Sequence, residues 1–126
     1  MKILLVEDNL NDTDKLCAML EEQGHEVVTA ISGEDGVLLA DELRPDLILM
    51  DVVMPGLNGF QATRQIKRCA GTRDIPVIII SSKSQAVDIV WGQRQGAEAY
   101  LVKPIGNKEL AAAIEAATLI EPNVAI

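Results

Sequence analysis

Aromatic side chains are scarce in this chain of 126 residues, where Phe60, Trp91 and Tyr100 make up 2% of the sequence. A densely packed core must therefore be built from aliphatic side chains, for which hydrophobic residues at 48% of the sequence are ample. The length is close to the commonest size of one compact domain. Three aromatic rings also leave little surface on which bases or sugar rings could stack.

An excess of basic side chains is absent as well. The chain has 11 Lys and Arg residues against 19 Asp and Glu residues, which gives a formal net charge of −8. Such a surface repels phosphates, so we expect no nucleic-acid partner and no anionic membrane surface. Cations, or proteins with basic patches, suit it better.

Cysteine is also rare, and its two copies, Cys17 and Cys69, show no CxxC pattern or histidine-rich context. Reduced core thiols in a cytosolic protein are the preferred interpretation, with a disulfide or a metal site as the alternative. The first apolar run is too short for a signal peptide, and no stretch approaches the ~20 apolar residues of a membrane span. We therefore expect a cytoplasmic protein without membrane insertion.

Apolar runs rich in β-branched residues alternate with segments of helical spacing. The pattern predicts strands at residues 3–6, 26–29, 47–50, 77–80 and 99–102, and helices at about 9–23, 33–43, 58–70 and 107–119, with a further helix containing 90–96. Ser32 (in a capping box with Asp35) and Asn58 suit helix starts. Gly24 and Gly96 suit helix ends, and Pro45 marks the end of the second helix.

The predicted strands lack the apolar–polar alternation of half-exposed sheets. This indicates a parallel sheet covered by helices on both faces. Right-handed crossovers then give an α/β, doubly wound (βα)5 sandwich. We expect one domain over residues 1–120 and a short tail over 121–126. Ligand sites in such sheets lie outside the carboxyl ends of the strands.

Polar side chains of complementary chemistry follow four of the predicted strands. They are Glu7 and Asp8, then Asp51, then Ser81 with Ser82, and finally Lys103. Clustered carboxylates repel one another, and a hard cation such as Mg²⁺ (or Mn²⁺) resolves that conflict while leaving water positions for a phosphoryl oxygen. Asp51 could then serve as a nucleophile that becomes an aspartyl phosphate. This interpretation puts Asp51 at the water-accessible mouth of the site and outside the core.

Each residue also has a simpler interpretation when taken alone. Glu7 and Asp8 suit a solvated loop or a helix start, and Asp51 suits a turn or a helix cap. Ser81 suits the start of a loop, and Lys103 suits the surface. The joint chemistry of four strand ends is what favours a site.

Four segments together resemble the receiver domain of the response regulators of two-component signalling. They read ILLVED at 3–8, DLILMDVVMPGLNG at 46–59, PVIIISS at 76–82 and GAEAYLVKP at 96–104. The resemblance covers nearly the whole chain and implies a flavodoxin-like sheet in the strand order 2-1-3-4-5. The stretches DVVMPGLNGFQATRQIK and VWGQRQGAEAYLVKP are also similar to stand-alone bacterial receivers of the type IV pilus chemosensory system, which governs twitching motility.

This resemblance implies a phosphorylation-controlled switch and not an enzyme. Asp51 would accept a phosphoryl group from a sensor histidine kinase or its phosphotransfer domain. Mg²⁺ would be bound by Asp8, Asp51 and the backbone carbonyl of Val53, with Glu7 acting through water. Glu7 stands where the family often has Asp, so its longer side chain could alter the affinity for the metal.

The same resemblance assigns the phosphoryl contacts to Ser81 and Lys103, and it implies a cis peptide bond between Lys103 and Pro104. Ser81 stands where Thr is common, which removes a methyl group that helps to fix the rotamer. On phosphorylation Ser81 would swing toward the phosphoryl group and Tyr100 would turn inward behind it. The face of helix four, strand five and helix five would then be remodelled. Simple packing is the alternative role for Tyr100.

Two further pairs of residues carry expectations. The resemblance implies that Val53 and Lys83 border the path of hydrolytic water, and Val53 cannot orient water by hydrogen bonding, which predicts slow autodephosphorylation. Trp91 is either half-buried packing or, with Arg94, an exposed anchor for a partner.

Three other functions remain open at this point. A flavodoxin-like nucleotide or flavin binder is disfavoured because Glu7 and Asp8 would repel phosphate. A metal-dependent phosphohydrolase commonly needs an Asp at the position of Val53. A degenerate receiver could act as a scaffold. Because no DNA-binding module is expected, the output should be contact with a downstream protein target that the sequence does not identify.

Overall fold

A single parallel sheet forms the centre of the computed structural model, which describes residues 1–119. Its strands are Lys2–Val6 (β1), Glu26–Ala30 (β2), Leu47–Asp51 (β3), Val77–Ser81 (β4) and Ala99–Val102 (β5). They are ordered β2-β1-β3-β4-β5, and every neighbouring pair is parallel. The doubly wound architecture and the strand order are therefore confirmed. The tail over 121–126 and the last residue of the expected domain lie outside the described residues.

Five helices connect and follow the strands. They are Leu10–Glu22 (α1), Gly33–Leu43 (α2), Gly59–Arg68 (α3), Ala86–Arg94 (α4) and Asn107–Thr118 (α5). All lie within a few residues of their predicted positions. The helix expected to contain residues 90–96 ends at Arg94, because Gly96 has a left-handed φ of +102° that turns the chain toward β5.

The predicted helix starts have the expected local hydrogen bonds. The Asn58 side chain accepts from the Gln61 N–H, and the Gln61 side chain accepts from the Asn58 N–H, both at 2.9 Å. Ser32 makes half of its predicted capping box, since its hydroxyl accepts from the Asp35 N–H at 3.1 Å. Helix α2 ends at Leu43, and its C-cap residue Arg44 lies in the left-handed region just before Pro45.

The three central strands, β1, β3 and β4, are buried on both faces. Alternate residues of each strand point to opposite sides, so the sheet has two cores. One core packs Leu5 and Leu49 against α1 and α5, and the other packs Val6 and Met50 against α2 and α3. This two-sided burial explains why the strands carry no apolar–polar alternation.

The two cysteines are free thiols in different surroundings. Cys17 is half-buried against the core on the α1 side, whereas Cys69 is exposed. The expectation of a core position was wrong for Cys69, because this residue ends helix α3 instead of extending its buried face. In the part of the chain that is described, no helix is long and apolar enough to cross a membrane.

Candidate functional site

The register of the sheet brings the ends of four strands to one edge. Val6 of β1 pairs with Met50 of β3, so the next residues, Glu7 and Asp51, follow paired positions. Ser81 pairs with Val102, which places Lys103 just beyond the same edge. The parallel arrangement therefore gathers side chains that are up to 96 residues apart in sequence.

An acidic cluster occupies this edge. Glu7, Asp8 and Asp51 each offer a carboxylate oxygen, and these oxygens all lie within 4.8 Å of one another. Glu7 is 1% exposed and Asp51 is 4% exposed, while Asp8 is exposed to solvent. An all-oxygen set of this kind suits a hard divalent cation, which needs few carboxylates and accepts water or phosphoryl oxygens at its other positions.

The expected water-accessible position of Asp51 was wrong. Asp51 is the last residue of β3 and is buried, and the chain that follows packs against its backbone. The N–H of Gly59 donates to the carbonyl of Val52 at 3.0 Å. The α-carbon of Gly59 lies so close to the carbonyl of Asp51 that an added Cβ would overlap it. Asp8 is the exposed member of the cluster.

Lys103 binds the cluster directly. Its ammonium lies 2.7 Å from Glu7 Oε1, 2.9 Å from Asp12 Oδ2 and 3.5 Å from Asp51 Oδ1. Burial tends to lower the pKa of Lys103, but hydrogen bonds to Glu7 and Asp12 raise it well above its usual range. Lys103 is therefore a permanent positive charge in the site.

The surroundings of Asp51, in contrast, disfavour the charged form of its side chain. Burial, followed by the Glu7 carboxylate, raises the pKa of Asp51 to about 7, although the Lys103 ammonium acts in the opposite direction. The Asp51 carboxylate is thus held in a place that disfavours its charge. A cation bound between Asp51 and its acidic neighbours would remove that conflict.

A short chain of hydrogen bonds leads away from the site along the end of β4. Ser81 is fully buried, and its Oγ accepts from the N–H of Lys83 at 3.1 Å. The carbonyl of Lys83 in turn accepts from the hydroxyl of Tyr100 at 2.8 Å. The half-buried ring of Tyr100 packs beside Gly92, where an added Cβ would lie 3.0 Å from the ring. Ser81 and Tyr100 therefore share one backbone segment.

The remaining residues named from the sequence lie around the site or away from it. The side chain of Val53 is 57% exposed, and that of Lys83 is exposed. Trp91, 48% exposed, and Arg94 lie on helix α4 and do not join the acidic cluster. The peptide bond between Lys103 and Pro104 is cis, as the resemblance implied.

Sequence reasoning missed two residues of this site. Asp12 contacts Lys103 from the first turn of α1. The sequence feature that could have indicated this contact was an acidic residue four positions after Asp8. Gly59 shields the backbone of Asp51, and its signal was a glycine at the first position of helix α3, where the helix itself requires none.

Comparison with known proteins agrees with this geometry. Residues 3–115 match the family described as the response regulator receiver domain. The chain is 54% identical over 115 residues to Protein PilH of Pseudomonas aeruginosa, covering 91% of this chain and 95% of PilH. It is 43% identical to the transcriptional regulatory protein AfsQ1 of Streptomyces coelicolor over 90% of this chain, but it spans only 49% of AfsQ1.

A solved structure also has a fold similar to that of this chain. The receiver domain of a sensor histidine kinase from Pseudomonas aeruginosa, which has a magnesium ion coordinated in its active-site cleft, superposes with a TM-score of 0.87 at 33% identity. The match covers 93% of this chain and 96% of that domain. Receiver domains take a phosphoryl group from histidine kinases and act as phosphorylation switches, not as true enzymes. The chain belongs to the response regulator receiver domain family.

Proposed function

We propose that Asp51 accepts a phosphoryl group from the phosphohistidine of a sensor histidine kinase or its phosphotransfer domain, in a reaction that requires Mg²⁺ (or Mn²⁺). One observation carries the proposal: a buried Asp51 carboxylate lies beside two other acidic groups and 3.5 Å from the Lys103 ammonium. A nucleophile, a cation site and a fixed positive charge thus share one sheet edge.

The proposed transfer is a single displacement at phosphorus. A carboxylate oxygen of Asp51 forms the new P–O bond as the P–N bond to the donor imidazole breaks, and the bonding pair stays on the imidazole nitrogen. The product is an acyl phosphate on Asp51. Burial raises the free energy of the ionised carboxylate, and the phosphoryl group adds further negative charge, so the Lys103 ammonium and a bound cation would have to balance that charge.

Lys103 and Ser81 are the proposed contacts of the phosphoryl oxygens. Lys103 already points its ammonium toward Asp51, and no proton transfer is required because its pKa stays far above neutral pH. Ser81 lies at the end of β4, which pairs directly with β3. Its hydroxyl would rotate toward the phosphoryl group and donate a hydrogen bond there.

Asp8, Asp51 and the backbone carbonyl of Val53 are the proposed Mg²⁺ ligands, with Glu7 acting through a water molecule. The metal would add positive charge where phosphoryl oxygens must approach carboxylates. The role of the chain is to hold those carboxylates together. The contact of Lys103 with Glu7, at 2.7 Å, offsets part of their repulsion.

The proposed switch uses the segment shared by Ser81 and Tyr100. Movement of the Ser81 hydroxyl toward a phosphoryl group would break its bond with the Lys83 N–H, and the Lys83 carbonyl is the acceptor for Tyr100. Release of Tyr100 would let its ring turn inward. The face of α4, β5 and α5 would then change and control a protein partner.

The similarity to PilH supports a place for this chain in the chemosensory control of type IV pili and twitching motility in a bacterial cytoplasm. A chemotaxis-type kinase would then be the phosphoryl donor. The output would be contact with a protein target and not binding to nucleic acid, since the net charge of −8 disfavours phosphate backbones.

Phosphorylation by acetyl phosphate, followed by intact-mass spectrometry, tests the proposal. Wild type should gain one phosphoryl group with Mg²⁺ and none with EDTA, and Asp51→Asn should gain none. Asp74→Asn, which removes an exposed carboxylate before β4 at the opposite edge, is the matched control and should behave as wild type. Failure of the wild-type protein to label would instead support a degenerate receiver that acts as a scaffold.

A further inference from the structure

A basic groove separates helices α3 and α4. It has a volume of about 470 Å³ and is lined by Arg64, Lys67, Arg68, Trp91, Arg94 and Gln95. Four of the 11 Lys and Arg residues of the chain thus line one groove, on a molecule whose net charge is −8. The groove shares no residue with the acidic cluster at the strand ends. We call it the α3–α4 groove.

One of the four basic groups, the Lys67 ammonium, already has partners within this protein. The Lys67 ammonium donates to the carbonyl of Ile75 at 2.7 Å and forms a salt bridge of 3.0 Å with Glu98. The other carboxylate oxygen of Glu98 accepts from the N–H of Val77. The Glu98 carboxylate is therefore already bound by Lys67 and by the backbone of Val77. It holds Lys67 in place at the groove and forms no salt bridge with the three arginines.

The three arginines of the groove are free to bind a partner. Arg64, Arg68 and Arg94 are all exposed, and none of them forms a salt bridge with any residue between 1 and 119. Guanidinium groups pair with carboxylates through two parallel hydrogen bonds. Three of them around one groove therefore form an arrangement that suits several carboxylates of one segment.

Exposed apolar side chains of α4 continue from Trp91, which lines the groove. Trp91 is 48% exposed, and Val87 is 66% exposed one helical turn earlier. Val90, which is 45% exposed, lies next to Trp91. Residues three and four apart share one side of a helix, so these groups and Arg94 form a continuous strip. An exposed Trp next to Arg has the composition of an interface anchor.

We infer that the α3–α4 groove is a docking site for an acidic segment of a partner protein, with an apolar side chain of that segment packed on Trp91. The charge pattern favours a protein over a nucleic acid, because the rest of this acidic surface would repel an extended phosphate backbone but not a short acidic segment. The single tryptophan also provides only one aromatic surface, whereas single-stranded nucleic acids stack successive bases on several aromatic side chains.

Selection from a random library of 12-residue peptides displayed on phage tests this inference with the unphosphorylated protein. Peptides retained by wild type and lost on an Arg64→Glu/Arg94→Glu variant should be enriched in Asp and Glu around at least one apolar residue. A selected, tryptophan-free peptide should change the fluorescence of Trp91 on binding. Its affinity should fall at least tenfold in the double variant.

Lys15→Glu/Lys108→Glu is the matched control, since it makes the same change in net charge with exposed residues of α1 and α5. This variant should keep the affinity of wild type, and circular dichroism should show that both double variants are folded. The inference is overturned by selected peptides without acidic enrichment, by equal affinity in the Arg64→Glu/Arg94→Glu variant, or by a 12-nucleotide oligothymidylate that binds the groove more tightly than the selected peptide. Because phosphorylation is not required, failure here leaves the proposed chemistry at Asp51 untouched.

Discussion

The ammonium of Lys103 lies 2.9 Å from a carboxylate oxygen of Asp12, a residue in the first turn of helix α1. This contact is additional to the bond between Lys103 and Glu7, so two acidic side chains besides Asp51 bind the ammonium in the unphosphorylated protein. A phosphoryl group on Asp51 must compete with both. Asp12 therefore acts on the site through Lys103 and not through the metal or the nucleophile.

Removal of the Asp12 carboxylate should favour the phosphorylated state. In Asp12→Asn, Lys103 loses one competing anion, and we expect affinity for the phosphoryl analogue beryllofluoride to rise about threefold, the effect of one partly exposed ion pair. Titration with Mg²⁺ present, followed by Trp91 fluorescence, measures it. Asp14→Asn, an exposed change in the same helix, is the control. Equal affinity in Asp12→Asn and wild type would contradict this role for Asp12.

The raised pKa of Asp51 has a consequence for stability without metal. Its pKa is about 7 in the folded protein against 3.8 for the ordinary group. Between these values the folded state holds a proton that the unfolded state releases, so a rise in pH lowers the free energy of unfolding. Below that range both states are protonated, and above it both are ionised and the penalty is constant.

Asp51→Asn removes this titration, and we expect the variant to gain stability relative to wild type as the pH rises from 4 to 7. The gain is at most about 1.4 kcal/mol per pH unit for one group. Urea unfolding in EDTA across that range measures the difference. Addition of Mg²⁺ at pH 8 should stabilise wild type more than Asp51→Asn, which loses one carboxylate of the proposed site. A difference between the two proteins that did not vary with pH would be inconsistent with a raised pKa at Asp51.

Gly59 sets the position of Asp51, because its α-carbon lies against the Asp51 carbonyl. In Gly59→Ala the new Cβ overlaps backbone atoms that cannot move aside separately. We expect a loss of about 1–3 kcal/mol in the free energy of unfolding and slower labelling by acetyl phosphate. Gln65→Ala is the control, since it changes only an exposed side chain of the same helix. If both variants unfolded at the same urea concentration, the contact would have no energetic role.

Val53 bears on the lifetime of the phosphorylated state. Its side chain is 57% exposed beside Asp51, so substitution should not disturb the core. Val53→Asn adds an amide that can orient an attacking water molecule, and we expect several-fold faster loss of phosphate. Val53→Ala, which stays apolar, should lack this gain. Release of inorganic phosphate after removal of acetyl phosphate gives the rates, and a slower Val53→Asn variant would disprove the proposed tuning.

The sequence predicted most of the fold because its strands carry a simple signal. Runs such as Ile78–Ile80 are buried on both faces, and that burial requires helices above and below the sheet. The strand-end residues could be grouped from the sequence because the carboxyl ends of all strands in a parallel sheet lie at the same edge. For this reason Glu7, Asp51 and Lys103 were expected together, and they lie together.

The burial of individual residues and the contacts of their side chains could not be predicted from the same pattern. The surroundings of the Asp51 carboxylate include Glu7 and Lys103, which are distant in sequence, whereas Gly59 packs only on the backbone of Asp51. The contact of Asp12 with Lys103 depends on the direction in which helix α1 leaves the sheet. Cys69 followed the apolar spacing of α3 and yet is exposed, because spacing does not specify the residue at which a helix ends.

Tyr100 supplies the last prediction, which concerns the link from the site to helix α4. Its hydroxyl is bound by the Lys83 carbonyl, and its ring lies beside Gly92, the neighbour of Trp91. Beryllofluoride with Mg²⁺ should therefore change the fluorescence of Trp91 in wild type. In Tyr100→Ala we expect that response to be largely lost, because the ring that contacts α4 is gone. Tyr100→Phe keeps the ring and should retain more of the response than Tyr100→Ala. A response in Tyr100→Ala as large as that of wild type, at equal beryllofluoride occupancy, would assign the coupling to a route that does not pass through Tyr100.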